Sequence, residues 1–564
     1  MRDDLLPPGR RRDDHQNGAV RQTNPLALRF AAPDKPKQPG HPDTGTMDLE
    51  QVDRALATLP GLHSGGPGLA VGVYADGKVL HTAARGVATV EFGVPIDSRT
   101  RFDIASISKQ FTAACLLLLE RDGRLSLSDD VRAHVPELRL GVPVTIDQCL
   151  RHTGGLPEWY GLQAVTGVPF HLLDEERLMR IVTGVRRTMF EPGTRFSYSN
   201  TGYVLAAVVV RRLTGRSLAD FARDRLFGPL GMDDTVFRDD ASVPLPRMAY
   251  GYNGAGARAD TLESAVGDGG VVTGVADLAP WLGFLADGRV LGDDVRAALL
   301  ERTVLADGTV LRYARGICHL SVGDLSAYGH AGGMHGYVGN LLHLPEPGVG
   351  VAVLTNHSGL DPVGLSIRLA RALTGQDPAP RPAPARPATA EAARAALLGH
   401  WHDPASEATI TLGPAADGRI SLTGGADFEL ALGDDGRWHG QVDAERVWLV
   451  PEHGRLLIGH DGSIRWPDAY EPCEAPVEGP APEGAWLNDE VGVLAVQEEG
   501  VLRVGLTFQA PVTPAPAGTW RAGPFTLRLD ADGDLLLSGG GLLGLRFAAR
   551  PGGTAPVGIP PGLV

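Results

Sequence analysis

Hydrophobic positions fall into three textures along this chain. Residues 1–46 carry Pro, Asp and Arg without any periodicity. Such a stretch buries too little apolar surface to fold, so a disordered leader is expected there. From Met47 to Leu56 apolar residues recur at helical spacing. Two strand-like runs follow, around Leu69–Tyr74 and Val79–Ala84, joined by the tight-turn dipeptide Asp76-Gly77. A helix-rich middle runs from about 103 to 300. Strand patterns return at Leu341–Leu344 and Val349–Thr355, and a helix is expected over roughly Pro362–Leu373. Strands at both ends of 47–375, with helices between, predict one sheet assembled from the two ends of an α+β domain.

The texture then changes. Residues 376–390, which contain the Pro/Ala-rich run from Pro378 to Pro387, read as a semi-rigid linker. Beyond it come short alternating runs: Ala408–Leu412, Arg419–Leu422, Phe428–Leu432, Arg446–Val450 and Leu456–Ile458. A second Pro-rich break, Glu471 to Gly484, precedes a similar series, Val491–Gln497, Val501–Phe508, Phe525–Leu529, Leu535–Leu537 and Gly544–Ala548. Short strands between Asp-Gly turns predict two small antiparallel β-domains, at 391–475 and 484–564.

Composition narrows the function classes. A net charge of −15 excludes a nucleic-acid partner on electrostatic grounds. No run of about 18 apolar residues is present, so no membrane partner is expected. Arg10-Arg11-Arg12 has no apolar segment behind it, and the default expectation is the cytoplasm. Cys115, Cys149, Cys318 and Cys473 lack metal or redox spacing and are expected to be free thiols. Lysine is nearly absent: of 52 Lys+Arg residues, only Lys35, Lys37, Lys78 and Lys109 are lysine. The first two lie in the leader and the third follows a turn, but Lys109 stands at the head of the apolar run Phe111–Leu119. Arginine does not give up its proton in a protein whereas lysine can, so an arginine-writing chain that keeps a lysine here points to a base.

Ser106-Ile107-Ser108-Lys109 supports that reading. Asp103 can cap a helix whose first turn holds Ser106, and residues three apart then share a face. The hydroxyl sits where the helix dipole favours negative charge, with an amine in reach, which is an activated-nucleophile arrangement. A bare S-x-x-K is weak evidence, and from the tetrapeptide alone a capped helix with a snorkelling lysine is the better reading. Two further elements tip the balance. Tyr198-Ser199-Asn200 leads into the apolar helix Val204–Leu213, and Tyr328-Gly329-His330-Ala331-Gly332-Gly333-Met334-His335-Gly336-Tyr337 precedes the returning strands.

In order and spacing these elements resemble the S-x-x-K serine hydrolases of the class C β-lactamase and penicillin-binding-protein type. Supporting phrases are Leu150-Arg151-His152-Thr153-Gly154-Gly155-Leu156-Pro157, Phe190-Glu191-Pro192-Gly193 and Gly267-Asp268-Gly269-Gly270-Val271-Val272-Thr273. The resemblance covers about residues 50 to 375. It implies an antiparallel sheet flanked by helices with a helical subdomain, and catalysis without metal or other cofactor. Residue by residue it implies Ser106 as acylated nucleophile, Lys109 as proton acceptor and Tyr198 as proton shuttle to the leaving group. Asn200 would hydrogen-bond substrate and lysine, His330 would open the third motif, and the N–H groups of Ser106 and Gly333, beside Gly332, would form the oxyanion hole. His152 falls outside the family's catalytic motifs and is taken as structural.

Substrate class follows from the same comparison. Relatives with lysine at the third motif use its charge to bind a free carboxylate. Histidine is mostly neutral at pH 7, so His330 favours a substrate without that carboxylate, such as a peptide bond further along, an amide or an ester. A catalytic domain followed by two β-domains resembles the bacterial D-aminopeptidases, which carry two C-terminal barrels. In those enzymes a loop of the last barrel enters the cleft and helps hold the substrate's ammonium. Gln509 to Pro524 reads as the longest irregular stretch of the final domain and the natural candidate. It contains no Asp or Glu; Asp530 is the nearest acid, and Glu158 is another. The expected partner is a small peptide or amino-acid amide, with room for a homodimer. The rival readings are a broad esterase or amidase, a DD-peptidase or β-lactamase, and a non-catalytic binder of peptidoglycan fragments.

Overall fold

The computed structural model describes residues 47–170, 173–260, 264–376, 391, 393–424, 427–442, 445–460, 468–476, 481–505 and 507–550. The expected leader and nearly all of the expected linker lie outside the described residues.

The catalytic sheet is built from both ends of its domain, as the pattern of strands predicts. Its six strands run in the order Lys78–Arg85, Leu69–Ala75, Val349–Thr355, Tyr337–Leu344, Leu325–Met334 and Cys318–Val322. Every neighbouring pair is antiparallel. The two ends of the domain meet at one seam, where Leu69 faces Thr355 and Ala75 faces Val349. The hairpin turn between the first two strands places both Asp76 and Gly77 at positive φ, the conformation that favours this dipeptide.

Alternation along the central strands serves two cores. Val71, Val73, Leu342, Val351 and Val353 pack against Leu365 and Leu369 of the helix Pro362–Leu373. Ala70, Leu341 and Ala352 point to the other face and meet Ile107 and Phe111. Because both faces are covered, the strand Val349–Thr355 is buried at every position, and its sequence is apolar rather than alternating. The helix Lys109–Arg121 is buried from Lys109 to Leu119. Phe111 anchors it, with ring centroids 4.6 Å from Trp281 and 5.5 Å from Phe227.

Each C-terminal region closes into an eight-stranded antiparallel barrel, from Gly399–Asp403 to Asp468–Cys473 and from Gly484–Asn488 to Leu542–Ala549. The sequence pattern misses several of these strands and misplaces one feature. The stretch Gln509 to Pro524 is not an irregular loop: it forms the strands Phe508–Ala515 and Thr519–Ala522, paired from Val512–Ala522 to Ala515–Thr519. Pro511 and Pro514 obscure the signal, since proline within a run argues against a strand.

The two barrels are packed differently. The first has a core of its own around Trp401, Trp438 and Leu449. The interior of the second is continuous with the catalytic core through Trp486, Val491 and Phe525. Its backbone presses directly on the catalytic helices: a Cβ on Gly505 would lie 2.1 Å from the Val165 carbonyl oxygen, and one on Gly184 would lie 2.3 Å from that of Glu490. Among the described residues no helix is long and apolar enough to cross a membrane. All four cysteines are free, with Cys115, Cys149 and Cys318 buried.

One buried group makes stability depend on pH. His343 is 3% exposed, its Nδ1 has no hydrogen-bond partner, and its ring lies 5.1 Å from that of Tyr328. Burial, assisted by the Arg296 charge, pushes its imidazole down to about 4. The unfolded chain takes up a proton near pH 6.5 that the folded chain refuses, so this group's contribution is intact above 6.5 and lost as pH falls toward 4. His343→Leu is therefore expected to lose about 2–3 kcal/mol less stability than wild type between pH 7 and pH 4.5. Urea unfolding at the two pH values measures the difference.

Candidate active site

The nucleophile turn starts from an unusual backbone. Ala105 has φ +46, a left-handed conformation rare for a residue with a side chain. The Asp103 carboxylate holds it by accepting from the Ala105 N–H at 2.8 Å. Asp103 therefore supports this turn, but from the short strand Phe102–Asp103 and not as a helix cap. Ser106 sits in the 3-10 turn Ala105–Ser108, and the α-helix begins at Lys109. Burial pushes the Asp103 carboxyl up to about 6.

Lys109 is completely buried. Its Nζ donates to Ser106 Oγ at 3.0 Å, to Asn200 Oδ1 at 2.6 Å and to the Asp268 carbonyl oxygen at 2.6 Å. Two tyrosine faces complete the surroundings, with Nζ 5.0 Å from the Tyr198 ring centroid and 5.4 Å from that of Tyr203. The Tyr198 hydroxyl hydrogen-bonds the Ser106 side chain, and burial drives its proton affinity up. The sequence-expected residues Ser106, Lys109, Tyr198 and Asn200 thus meet around one serine oxygen.

The strand Leu325–Met334 closes the other side. A Cβ on Gly332 would fall 2.2 Å from the Ile104 carbonyl oxygen and 3.1 Å from the Ser106 nitrogen, so only glycine lets this strand lie against the nucleophile turn. Gly333, next along, has open space where a side chain would be and lines the cleft. The cleft has a volume of about 220 Å³ and is lined by Ser106, Asn200, Asp268 and Gly333 together with Tyr160, Phe170, Met334 and His335.

His330 is 2% exposed and its ring is fully committed. His152 Nδ1 accepts from the Ser199 N–H at 3.1 Å, so its proton is on Nε2, which lies 3.0 Å from the Tyr313 hydroxyl. That hydroxyl in turn lies 3.1 Å from His330 Nε2, while His330 Nδ1 donates to the Ala331 carbonyl. Each hydrogen has one donor and one acceptor along this line. Burial and the Lys109 charge push His330 down to about 3 and His152 well below its ordinary range. Both are neutral, and His152 packs its ring 4.2 Å from that of Tyr198. His152 does more than fill the core: it fixes Ser199 and the Tyr198 ring.

Two acids that the motifs do not contain complete the site. The Glu158 carboxylate accepts from the Asn200 N–H at 2.6 Å and the Tyr160 N–H at 3.1 Å. The Asp268 carboxylate accepts from the Trp159 indole at 2.9 Å. Burial pushes both up, Glu158 to about 7 with the Asp268 charge adding to the rise, while the Lys109 charge pulls Asp268 part of the way back. Gly541, in the turn before the last barrel strand, accepts from the Glu158 N–H at 3.1 Å. This turn, not Gln509–Pro524, is where the second barrel reaches the site. The pattern of polar and apolar residues carries no signal for that contact, because it is made by backbone. Asp530 bonds within its own barrel, accepting from the Asp532 and Asp534 N–H groups.

Residues 50–376 match the Beta-lactamase family. A D-aminopeptidase from Cereibacter sphaeroides (strain KD131 / KCTC 12085) is 29% identical over 425 residues, covering 74% of this chain and 77% of that protein. One from Brucella canis is 26% identical over 390 residues, covering 68% and 73%. Both matches are longer than the family domain. Among solved structures, the octameric penicillin-binding protein homologue from Pyrococcus abyssi covers 75% of this chain and all of its own, with a TM-score of 0.53 at 21% identity. The match over more than half the chain and the serine–lysine pair at the helix start agree, and the chain belongs to the Beta-lactamase family of serine hydrolases.

Proposed function

We propose that this enzyme is a D-stereospecific aminopeptidase that releases N-terminal D-amino acids from short peptides, amides or esters through an acyl-enzyme on Ser106. The observation that carries the chemistry is the Lys109 amine at 3.0 Å from Ser106 Oγ. In its neutral form that amine takes the serine proton as Oγ attacks the carbonyl carbon. Tyr198, bonded to the same oxygen, passes a proton to the leaving nitrogen or oxygen. The Ser106 and Gly333 N–H groups receive the oxyanion, and water then releases the acid.

Size supports an exopeptidase. A cleft of about 220 Å³ accommodates one aminoacyl residue rather than an extended acyl chain. Neutral His330 leaves no fixed cation at the third motif for a terminal carboxylate, which argues against β-lactams and D-Ala-D-Ala ends. The D preference rests on the relatives called D-aminopeptidase.

Four substrates separate the readings: D-Ala-p-nitroanilide, its L enantiomer, a short nitrophenyl ester and nitrocefin. The D-anilide is expected to be hydrolysed best and nitrocefin least, and preference for the L enantiomer or for nitrocefin would sink the proposal. A mechanism-based acylating agent followed by peptide mapping should place the label on Ser106, and Ser106→Ala should abolish both label and turnover. Lys109→Arg keeps the charge but not the ability to accept a proton. It should lower kcat by about 10²-fold or more, close to the effect of Lys109→Ala. Retained turnover in the arginine variant would mean that only charge is needed.

A further inference from the structure

Two buried carboxylates stand beside the nucleophile, and one cation faces them. Asp268 and Glu158 are 4% and 7% exposed and act on each other electrostatically. Lys109 is the positive charge that acts on Asp268. Among the described residues around them, Asp103 is a further acid acted on by Asp268 and by the Arg238 charge, Tyr198 keeps its proton, His152 and His330 are neutral, and His335 lines the same cleft. A buried carboxylate without a compensating charge is costly, and burial raises the proton affinity of both acids.

The two acids are not equivalent. Glu158 is enclosed: its oxygens take the Asn200 and Tyr160 N–H groups, and a Cβ on Gly541 would lie 2.4 Å from its own Cβ. Asp268 lies on the cleft wall. Its side chain accepts from the Trp159 indole and from backbone N–H groups, all neutral donors. Its place is set by its own main chain, whose carbonyl oxygen and Ser106 Oγ bond the same Lys109 nitrogen at 2.6 and 3.0 Å. Asp268 is therefore within one residue's reach of the carbonyl carbon that Ser106 attacks. In an aminoacyl substrate the α-ammonium is two bonds from that carbon. Glycines on either side, Gly267 at φ +117 and Gly270 at φ +87, shape the segment that brings the acid there.

We propose that the Asp268 carboxylate, backed by Glu158, binds the α-ammonium of the substrate. The acid then comes from the catalytic domain, not from a loop of the last barrel. The assignment rests on the aminopeptidase reading and names the residue behind its free-amine requirement. Binding brings a positive charge to these two acids.

The test compares D-Ala-p-nitroanilide with propionyl-p-nitroanilide, which lacks only the amine, on wild type and Asp268→Asn. In wild type the free-amine substrate should have the higher kcat/KM. In the variant that ratio should fall about 10- to 150-fold, the range of a charge-assisted hydrogen bond, chiefly through KM. If Asp268→Asn keeps the ratio, or lowers both substrates equally, the assignment is overturned and the aminopeptidase reading stands. If wild type has no free-amine preference, both fall. A measurement on wild type alone guards against a misfolded variant. D-Alaninol should inhibit competitively and more tightly than propylene glycol at pH 8, with the advantage shrinking toward pH 5 as the two acids take up protons. Equal inhibition at pH 8 would refute the ammonium site.

Discussion

The catalytic domain depends on one buried amine. Lys109 is removed from water entirely, and a buried ammonium without partners is among the costliest arrangements a fold can hold. Three oxygens meet it, from three separate parts of the chain: the nucleophile turn, the start of the helix Thr201–Thr214 and the Gly267–Gly270 segment. Placing those oxygens within 3.0 Å of one nitrogen fixes the relative positions of Ser106, Asn200 and Asp268. The same charge also governs its neighbours. Burial, with that charge added, depresses His152 and His330, so the two imidazoles stay neutral and accept or donate one defined hydrogen each.

That neutrality orders a second layer. His152, Tyr313 and His330 form a line in which each donor has one acceptor, ending on the Ala331 carbonyl in the strand that carries Gly332 and Gly333. The line ties the Tyr198 side of the site to the strand that carries Gly332 and Gly333. A charged histidine at either position would break the pattern, since both ring nitrogens would then donate.

The two barrels divide their roles by how they pack. The first folds around its own core and meets the catalytic domain through contacts such as Arg195 to the Ala405 carbonyl. The second shares the catalytic core and, through Gly541, holds Glu158, which in turn holds Asn200. Three hydrogen bonds thus link its last turn to Lys109. The second barrel is part of the site's support, and among the described residues its contact with Glu158 is made by the Gly541 backbone.

The sequence by itself named the candidate residues. One of only four lysines in an arginine-rich chain, three residues after a serine, pointed to Ser106 and Lys109, and the motifs around Tyr198, Asn200 and Gly333 offered the remaining candidates. The seam of the sheet and the helix Pro362–Leu373 were legible because long apolar periodicity survives without context. Tertiary structure decided what depends on burial and on backbone approach. Barrel strands of four to eight residues containing prolines, such as Phe508–Ala515, read as loop until their partners close the ring. The role of Glu158 and Asp268 could not be read from a pattern of residues, because an acid's proton affinity and its distance from a buried amine are set by what folds around it. The last barrel reaches the site through glycine backbone, and backbone carries no side-chain signal to read.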